Sequence, residues 1–383
     1  MGTIEPYATS GGRRYRVRYR TPDRKQTSKR GFKSKRDAEL FLASVDVSIA
    51  KGDFIDPASA RVTVGDLGRD WLPVKESTLK PSSYKVLADA WRVYVEPRWG
   101  STQVSAVRKS AVAEWVRQLS AGTAPTKRSG GKPHPGLEGR AKSATVVIRA
   151  HGVLLQVLQV ALDDRRISHN PAAGVAMPRK KRKPHQYLTH AEVEALAAAA
   201  GGERGTVVRV AAYTGLRWGE LTGLRVRDVD MLRRRLQVNE NAVKVGAKVH
   251  VGSPKTHELR SVGFPAFLTL PLAKLCEGKA RDDLVFGGGL EYLPRPRASE
   301  GARSWFVTAL EAAGLERMTI HDLRHTAASL AIASGANVKA VQRMLGHASA
   351  AMTLDVYADL FDDDVDAVSA ALDSARAAAV VAK

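Results

Sequence analysis

The sequence predicts a multidomain, mainly α protein. A small β-sheet-plus-helix domain is expected at residues 1–57, an all-helical domain at 62–175, and a mainly helical domain with a small antiparallel sheet at 185–383. Three observations lead there. At 383 residues the chain exceeds the roughly 250 that one hydrophobic core usually serves. Its opening alternates apolar and basic residues with the period of a strand. Beyond residue 62, apolar residues recur at helical spacing, and strand-like pieces interrupt them only between 235 and 264.

In Arg13-Arg-Tyr-Arg-Val-Arg-Tyr-Arg20, Tyr15, Val17 and Tyr19 share one strand face, while Arg14, Arg16, Arg18 and Arg20 share the other. The first face can pack and the second can meet phosphate. Ser34 is placed to cap a helix carrying Ala38, Phe41, Leu42, Val45 and Ile49, with Gly52 beyond its end. Asp56-Pro57 to Arg61 reads as a linker. Helices are expected near 64–73, 82–96, 108–120 and 142–166, the last with the stripe Val146, Val147, Val153, Leu154, Val157, Leu158 and Ala161. Gly122 to Lys142 reads as a flexible basic loop, Asn170-Pro171 as a stop, and Arg179, Lys180, Lys181, Arg182 and Lys183 as an exposed basic linker. That linker is either a solvated tether or a track for a polyanion's backbone. The third part opens on the capping box Thr189-x-x-Glu192, starting a helix to Ala200. A helical stretch from Arg209 to Leu224 follows. Strands are expected near 235–241, 248–252 and 259–264, and helices near 302–314, 322–334, 337–346 and 362–378.

Sixty Lys and Arg against 39 Asp and Glu give a net charge of +21. Such a balance favours a polyanionic partner, because a basic surface gains affinity by releasing the counterions around phosphates. Double-stranded DNA is the leading candidate. Residues 1–62 hold 14 basic and 7 acidic residues, whereas 355–366 holds six aspartates and no base. The single Cys276 excludes an intrachain disulfide and a thiolate metal cluster. With no uninterrupted apolar run of bilayer length and no secretory leader, the expectation is a cytoplasmic protein without a membrane partner.

Four stretches carry chemistry-bearing side chains: Thr214-Gly-Leu-Arg-Trp-Gly-Glu-Leu221, Ser253-Pro-Lys-Thr-His257, His321-Asp-Leu-Arg-His-Thr326, and Leu345-Gly-His347 with Tyr357. Singly, each is a weak motif. In order, Arg217, Lys255, His321, Arg324, His347 and Tyr357 resemble the catalytic region of the tyrosine recombinase (phage integrase) family. That pattern is an arginine, a lysine on a β-turn, His-x-x-Arg, a His or Trp, and a tyrosine. The resemblance covers about 185–365, and the parts before it match the arrangement of integrases that bind arm-type sites. One departure lies at His257-Glu-Leu-Arg260, which lacks the family's small-residue and paired-arginine run.

The residue types suit phosphoryl transfer. Guanidinium forks bind phosphate oxygens bidentately and stabilise charge that grows in a pentacoordinate transition state, so Arg217 and Arg324 are expected to clamp the scissile phosphate. A tyrosine hydroxyl, with a reference pKa of about 10, needs a cationic surround or a base to become a nucleophile; Tyr357 is expected to attack phosphorus. By resemblance, Lys255 protonates the leaving 5′-oxygen, while His321 and His347 bond nonbridging oxygens or assist proton movement. His325 could stack, cap or contribute, and stays outside this core set. Glu220 either pairs with Arg217 on one helical turn or faces solvent. Gly215 and Gly346 are expected at tight backbone approaches.

No metal and no nucleotide cofactor is called for, since a phosphotyrosine conserves the bond energy needed for rejoining. The resemblance implies a homotetramer on core-type and arm-type attachment sites, strand exchange through a Holliday junction for integration and excision, and a possible DNA-bending host factor and excisionase. The stripe Phe361, Val365, Val368 and Leu372 could dock on its own domain or on a neighbour's. A type IB topoisomerase-like relaxing enzyme would use much the same clamp and tyrosine. A non-catalytic architectural or regulatory DNA-binding protein would explain the charge but not the six ordered residues.

Overall fold

The computed structural model describes residues 2–22, 24–51, 54–56, 59–127, 139–180, 186–252, 260–299, 301–357 and 364–381. Lys181, Arg182, Lys183, Lys255 and Phe361 lie outside the described residues, as does most of the basic loop. The chain divides into two compact units, Met1–Arg182 and Lys183–Lys383.

The first unit holds two separate apolar clusters. In the smaller, β1 (Thr3–Thr9), β2 (Gly12–Arg20) and β3 (Gln26–Phe32) form an antiparallel sheet in sequence order. Helix α1 (Lys35–Ala50) packs on it. Ser34 caps α1 as expected, its hydroxyl accepting from the Asp37 N–H at 3.0 Å. Val17 and Tyr19 are buried against Ala38 and Val45, so the alternation in β2 does separate a packing face from a basic one. The basic face is not uniformly available, however. Cross-strand Glu5 takes an ion pair from Arg16 and another from Arg18 at 3.3 Å.

The larger cluster is built by α2 (Val64–Thr78), α3 (Pro81–Ala90), α4 (Glu96–Trp99), α5 (Lys109–Ala121) and α6 (Ala144–Asp163). Between α3 and α4, Trp91–Val95 widens into a π-turn. Its cause is legible: Pro97 has no N–H to offer the Val93 carbonyl, which accepts instead from the Lys127 N–H at 3.0 Å. Trp99 and Trp115 meet edge to face at 5.9 Å in the centre. By length and composition α6 could cross a bilayer. It is interrupted by Arg149, His151, Gln156 and Gln159, and its Val147, Val153, Leu154, Val157, Leu158 and Ala161 are buried within the cluster. Helix α6 ends at Asp163, short of Asn170-Pro171. The chain then folds back, with Asn170 Nδ2 donating to the Leu155 carbonyl at 2.9 Å.

The second unit begins with α7 (His190–Ala200), closed by the expected Thr189/Glu192 capping box. The single helix expected over 209–224 is two helices instead, α8 (Gly202–Thr214) and α9 (Trp218–Thr222). Gly215, at φ +65°, turns the chain left-handed between them. The strand region also divides. Strands β4 (Val229–Asp230), β5 (Arg235–Val238) and β8 (Arg260–Gly263) make an antiparallel sheet, while β6 (Asn241–Val245) and β7 (Lys248–Gly252) form a separate hairpin. Then come α10 (Thr269–Cys276), which the sequence reading lacked, α11 (Trp305–Ala312), α12 (Asp322–Ala333) and α13 (Val338–Leu345). A second helix missing from that reading, α14 (Ala350–Tyr357), ends on the tyrosine, and α15 (Asp364–Val381) follows. Leu372 on α15 is exposed.

Candidate active site

The α8–α9 break sets the site's first group. Its left-handed turn places Arg217 at the N-cap of α9, where the Arg217 N–H donates to Glu220 Oε2 at 2.9 Å and Nη1 donates to Oε1 at 2.9 Å. Glu220 is fully buried and therefore structural, not solvent-facing. Its second partner is Arg260, at the start of β8, whose Nη1 and Nη2 grip both carboxylate oxygens at 2.9 and 2.6 Å. Burial would raise the Glu220 carboxyl, but the bonds and charge of Arg260, joined by Arg217, hold it below the usual carboxylate range.

Helix α12 brings the second arginine. Arg324 is 4% exposed; its Nη1 donates to the Gly215 carbonyl and its Nη2 to the Leu345 carbonyl, each at 2.5 Å. Arg217 Nη2 donates to the next carbonyl, Gly346, at 3.1 Å. The two guanidiniums are thus fixed by consecutive carbonyls of one turn. Both glycines earn their identity here. Gly346, at φ +63°, lies against Arg260, and a Cβ on Gly215 would come within 2.6 Å of Leu345 Cδ2. Burial, together with repulsion from Arg217, brings the Arg324 guanidinium down to about 9.

His347 follows that turn, its Nδ1 3.0 Å from the hydroxyl of buried Thr353. Burial and the nearby Arg324 and Arg217 charges push it down to about 4, so it is neutral at pH 7. His321, at the N-cap of α12, is lowered by burial and by Arg324 and Arg295. Its ring lies edge-on to His325 at 5.3 Å. Tyr357 closes the group from α14. It is 1% exposed and packed among Ala328, Ile332, Val341, Leu345 and Tyr187. Burial pushes its hydroxyl up to about 12, against the lowering influence of Arg324. The oxygen lies 2.9 Å from His325 Nδ1.

Arg217, His321, Arg324, His347 and Tyr357 are therefore gathered from four separate stretches of one unit. Three side chains that enter this arrangement were outside the sequence-derived set. His325 adjoins Arg324 on α12 and was left aside. Arg260 sits within the stretch read as a departure from the family pattern. Thr353 belongs to the helix that the sequence reading lacked. Arg179 and Lys180 are exposed, as are Arg20 and the loop arginines Arg295, Arg297 and Arg303. Arg16 is held by Glu5, contrary to its expected place on a phosphate-gripping face, because the neighbouring strand supplies a carboxylate directly opposite it.

Comparison with known proteins agrees with this construction. The chain is 26% identical over 356 residues to the putative prophage phiRv2 integrase of Mycobacterium tuberculosis, covering 89% of this chain and 88% of that protein. The structure resembles the Tn1549 transposon integrase in complex with a circular intermediate DNA, with a TM-score of 0.61, 19% identity, and coverage of 81% of this chain and 99% of that one. It also resembles the lambda integrase tetramer bound to a Holliday junction, with a TM-score of 0.54, 17% identity, and coverage of 90% and 95%. The phage integrase family model matches residues 186–363, which hold the whole arginine and tyrosine cluster, and an arm DNA-binding domain model matches residues 7–49, which hold the end of β1, all of β2 and β3, and all of α1 but its last residue. The chain carries a phage integrase family domain over residues 186–363 and an arm DNA-binding domain over residues 7–49, and its relatives are integrases.

Proposed function

We propose that the protein is a phage-type integrase that breaks and rejoins DNA at attachment sites through a 3′-phosphotyrosine on Tyr357. One observation carries this reading: three guanidiniums converge around a single buried carboxylate, beside a buried tyrosine hydroxyl. Among the described residues Glu220 is the carboxylate that bonds to this cluster, and a phosphodiester supplies a further counter-anion. Arg217 and Arg324 bind its nonbridging oxygens through N–H groups not committed to Glu220 and the turn carbonyls, and oppose the charge that grows as phosphorus becomes pentacoordinate. His347, neutral and with Thr353 donating to Nδ1, presents its Nε2–H to the same phosphate. His321 serves as a further donor. Tyr357 attacks, the bond to the 5′-oxygen breaks, and Lys255 protonates that oxygen. Rejoining reverses these steps with a 5′-hydroxyl from another strand, so the bond energy is never lost.

The arm DNA-binding match supports a reading in which residues 1–57 engage arm-type sites while the helical domain and the catalytic domain engage the core. The fold shared with the lambda integrase tetramer bound to a Holliday junction supports strand exchange within a homotetramer. Integration and excision, with a DNA-bending host factor and an excisionase setting the direction, follow from that scheme, as does a host cytoplasm where the DNA resides.

The test is covalent capture. The full chain is incubated with a pool of nicked duplexes of randomised core sequence, and adducts are separated on a denaturing gel. A protein–DNA adduct mapping to Tyr357 and abolished by Tyr357→Phe is expected. An adduct that survives Tyr357→Phe overturns the reading.

A further inference from the structure

Burial makes Tyr357 a poor nucleophile as it stands. Its hydroxyl is 1% exposed and pushed up to about 12, so the Arg324 charge does not by itself release the proton. Something must remove that proton as the bond to phosphorus forms. Lys255 is assigned to the opposite end of the reaction, where a proton is delivered. His347 has its Nδ1 against Thr353, 3.0 Å away. The imidazole in contact with the hydroxyl is that of His325, with Nδ1 2.9 Å from Tyr357 Oη.

We propose that His325 is a further catalytic residue, the general base that takes the Tyr357 proton during cleavage and returns it during rejoining. The geometry is that of a proton transfer already aligned, at hydrogen-bond distance between heavy atoms. In the Nε2–H tautomer the Nδ1 lone pair accepts from the hydroxyl. The helix fixes the pairing. His325 is the residue after Arg324 on α12, so the group that binds phosphate and the group that accepts the proton move as one body. The rings of His325 and Tyr357 lie 5.7 Å apart. The groups around the pair are His321 edge-on to His325, the Arg324 cation near the hydroxyl, and Tyr187 with its ring 6.4 Å from that of Tyr357. Two of these are neutral aromatics or imidazoles, and the cation favours the phenolate being formed.

The step balances. The Tyr357 O–H proton passes to His325 Nδ1, the Oη–P bond forms, the P–O5′ bond breaks, and Lys255 supplies a proton to the leaving oxygen. In the reverse direction the imidazolium of His325 gives its proton back to the departing phenolate. No oxidant, metal or nucleotide enters.

This inference rests on the recombinase reading, and the experiment separates the two. Adduct formation by the full chain is measured on a nicked duplex recovered from the randomised pool, made with either the natural 5′-oxygen or a 5′-bridging sulfur at the scissile bond. A thiolate leaves without a proton, so the sulfur substrate bypasses the acid and leaves the base still required. For His325→Ala, the rate is expected to fall at least about 100-fold on both substrates. It should climb with pH where the wild type is flat, and recover when free imidazole is added. His325→Gln keeps a hydrogen-bonding partner for Tyr357 and should be equally slow, which decides the matter if the Ala variant fails to fold. Wild-type speed or faster in the Gln variant overturns the proposal, as would occur if the contact merely held Tyr357 at rest. Rescue by the sulfur substrate also overturns it, by making His325 an acid. If the wild type forms no adduct on any duplex, the recombinase reading itself fails.

Discussion

Arg260 is the residue whose removal tests the electrostatic construction of the site most directly. It donates two charge-assisted hydrogen bonds to Glu220, at 2.9 and 2.6 Å, and its side chain is 11% exposed. Breaking a buried ion pair by removing one partner costs about 3–5 kcal/mol. Because Glu220 would keep Arg217, about 2–3 kcal/mol is the better figure for Arg260→Ala. At about 2–4 °C per kcal/mol for a unit near 200 residues, the second unit should melt about 5–10 °C lower. Activity should fall further than stability explains. With Arg260 gone, Arg217 is the sole partner of a buried carboxylate and is drawn onto it, away from the phosphate. Losing one preorganised donor to the transition state is worth about 2.7–4 kcal/mol, or a 10²–10³-fold slower cleavage rate. Arg260→Lys restores the charge without the two-pronged grip, so it should recover much of the melting temperature and only part of the rate. Calorimetry and single-turnover adduct formation on the nicked duplex make the measurement. An Ala variant melting within about 2 °C of wild type and cleaving at full rate would falsify the coupling of Glu220 to both arginines.

Two further outcomes follow from the same physics. His347 is held at about 4 and His321 is also lowered, so both are neutral in the free protein near neutral pH. A bound phosphate raises both, binding takes up protons, and DNA affinity of the Tyr357→Phe chain should strengthen as pH falls from about 7.5 to about 5.5; fluorescence anisotropy that shows no trend, or a trend unchanged by His347→Asn, counts against the assignment. In the arm domain, Arg14→Ala and Arg20→Ala should each reduce the salt-dependence slope of duplex binding by about one. Arg16→Ala should instead lower stability, because Arg16 is tied to Glu5; equal slopes for all three variants would show that the ion pair does not set them apart.

Much of this arrangement was legible in the sequence, for reasons that differ by element. The Thr189/Glu192 capping box, the Ser34 cap and the alternation of β2 are local signals, and each appears in the structure where the residues demand it. The order Arg217, His321, Arg324, His347, Tyr357 could be read because it resembles the residue pattern of the tyrosine recombinase family, although neither the break before Arg217 nor the helix that ends on Tyr357 carries a local signal of its own. What could not be read depends on contacts across the fold. Helix α14 begins at Ala350-Ala-Met-Thr, without a distinctive cap, and its last residue is held by a cluster drawn from α12 and α13. Glu220 was ambiguous on its own helix, since its burial comes from β8, 40 residues later. Arg260 stands in a stretch without the family's paired arginines, and its role depends on Glu220, 40 residues earlier, which a single arginine placed opposite it satisfies. His325 looked redundant beside His321 until Tyr357 was seen to reach it.

These long-range contacts also explain why the site is expensive to hold without DNA. Arg324 is pulled down to about 9 from an ordinary 12.5, mainly by burial and then by Arg217, so its charged form is disfavoured in the folded chain by several kcal/mol. The penalty is present at every pH below that value and disappears only as the guanidinium loses its proton above it. Glu220 offsets part of it, being, among the described residues, the carboxylate paired with Arg217 and Arg260, and contributing to the field at Arg324. In the proposed reaction a nonbridging phosphate oxygen brought between Arg217 and Arg324 would relieve the remainder, and more so in the transition state, where the phosphorus centre would gain charge while the guanidiniums stay fixed by the Gly215, Leu345 and Gly346 carbonyls. The rigidity that makes this charge cluster costly to fold is therefore the same property that, in the proposed reaction, would let it favour the transition state over the bound substrate.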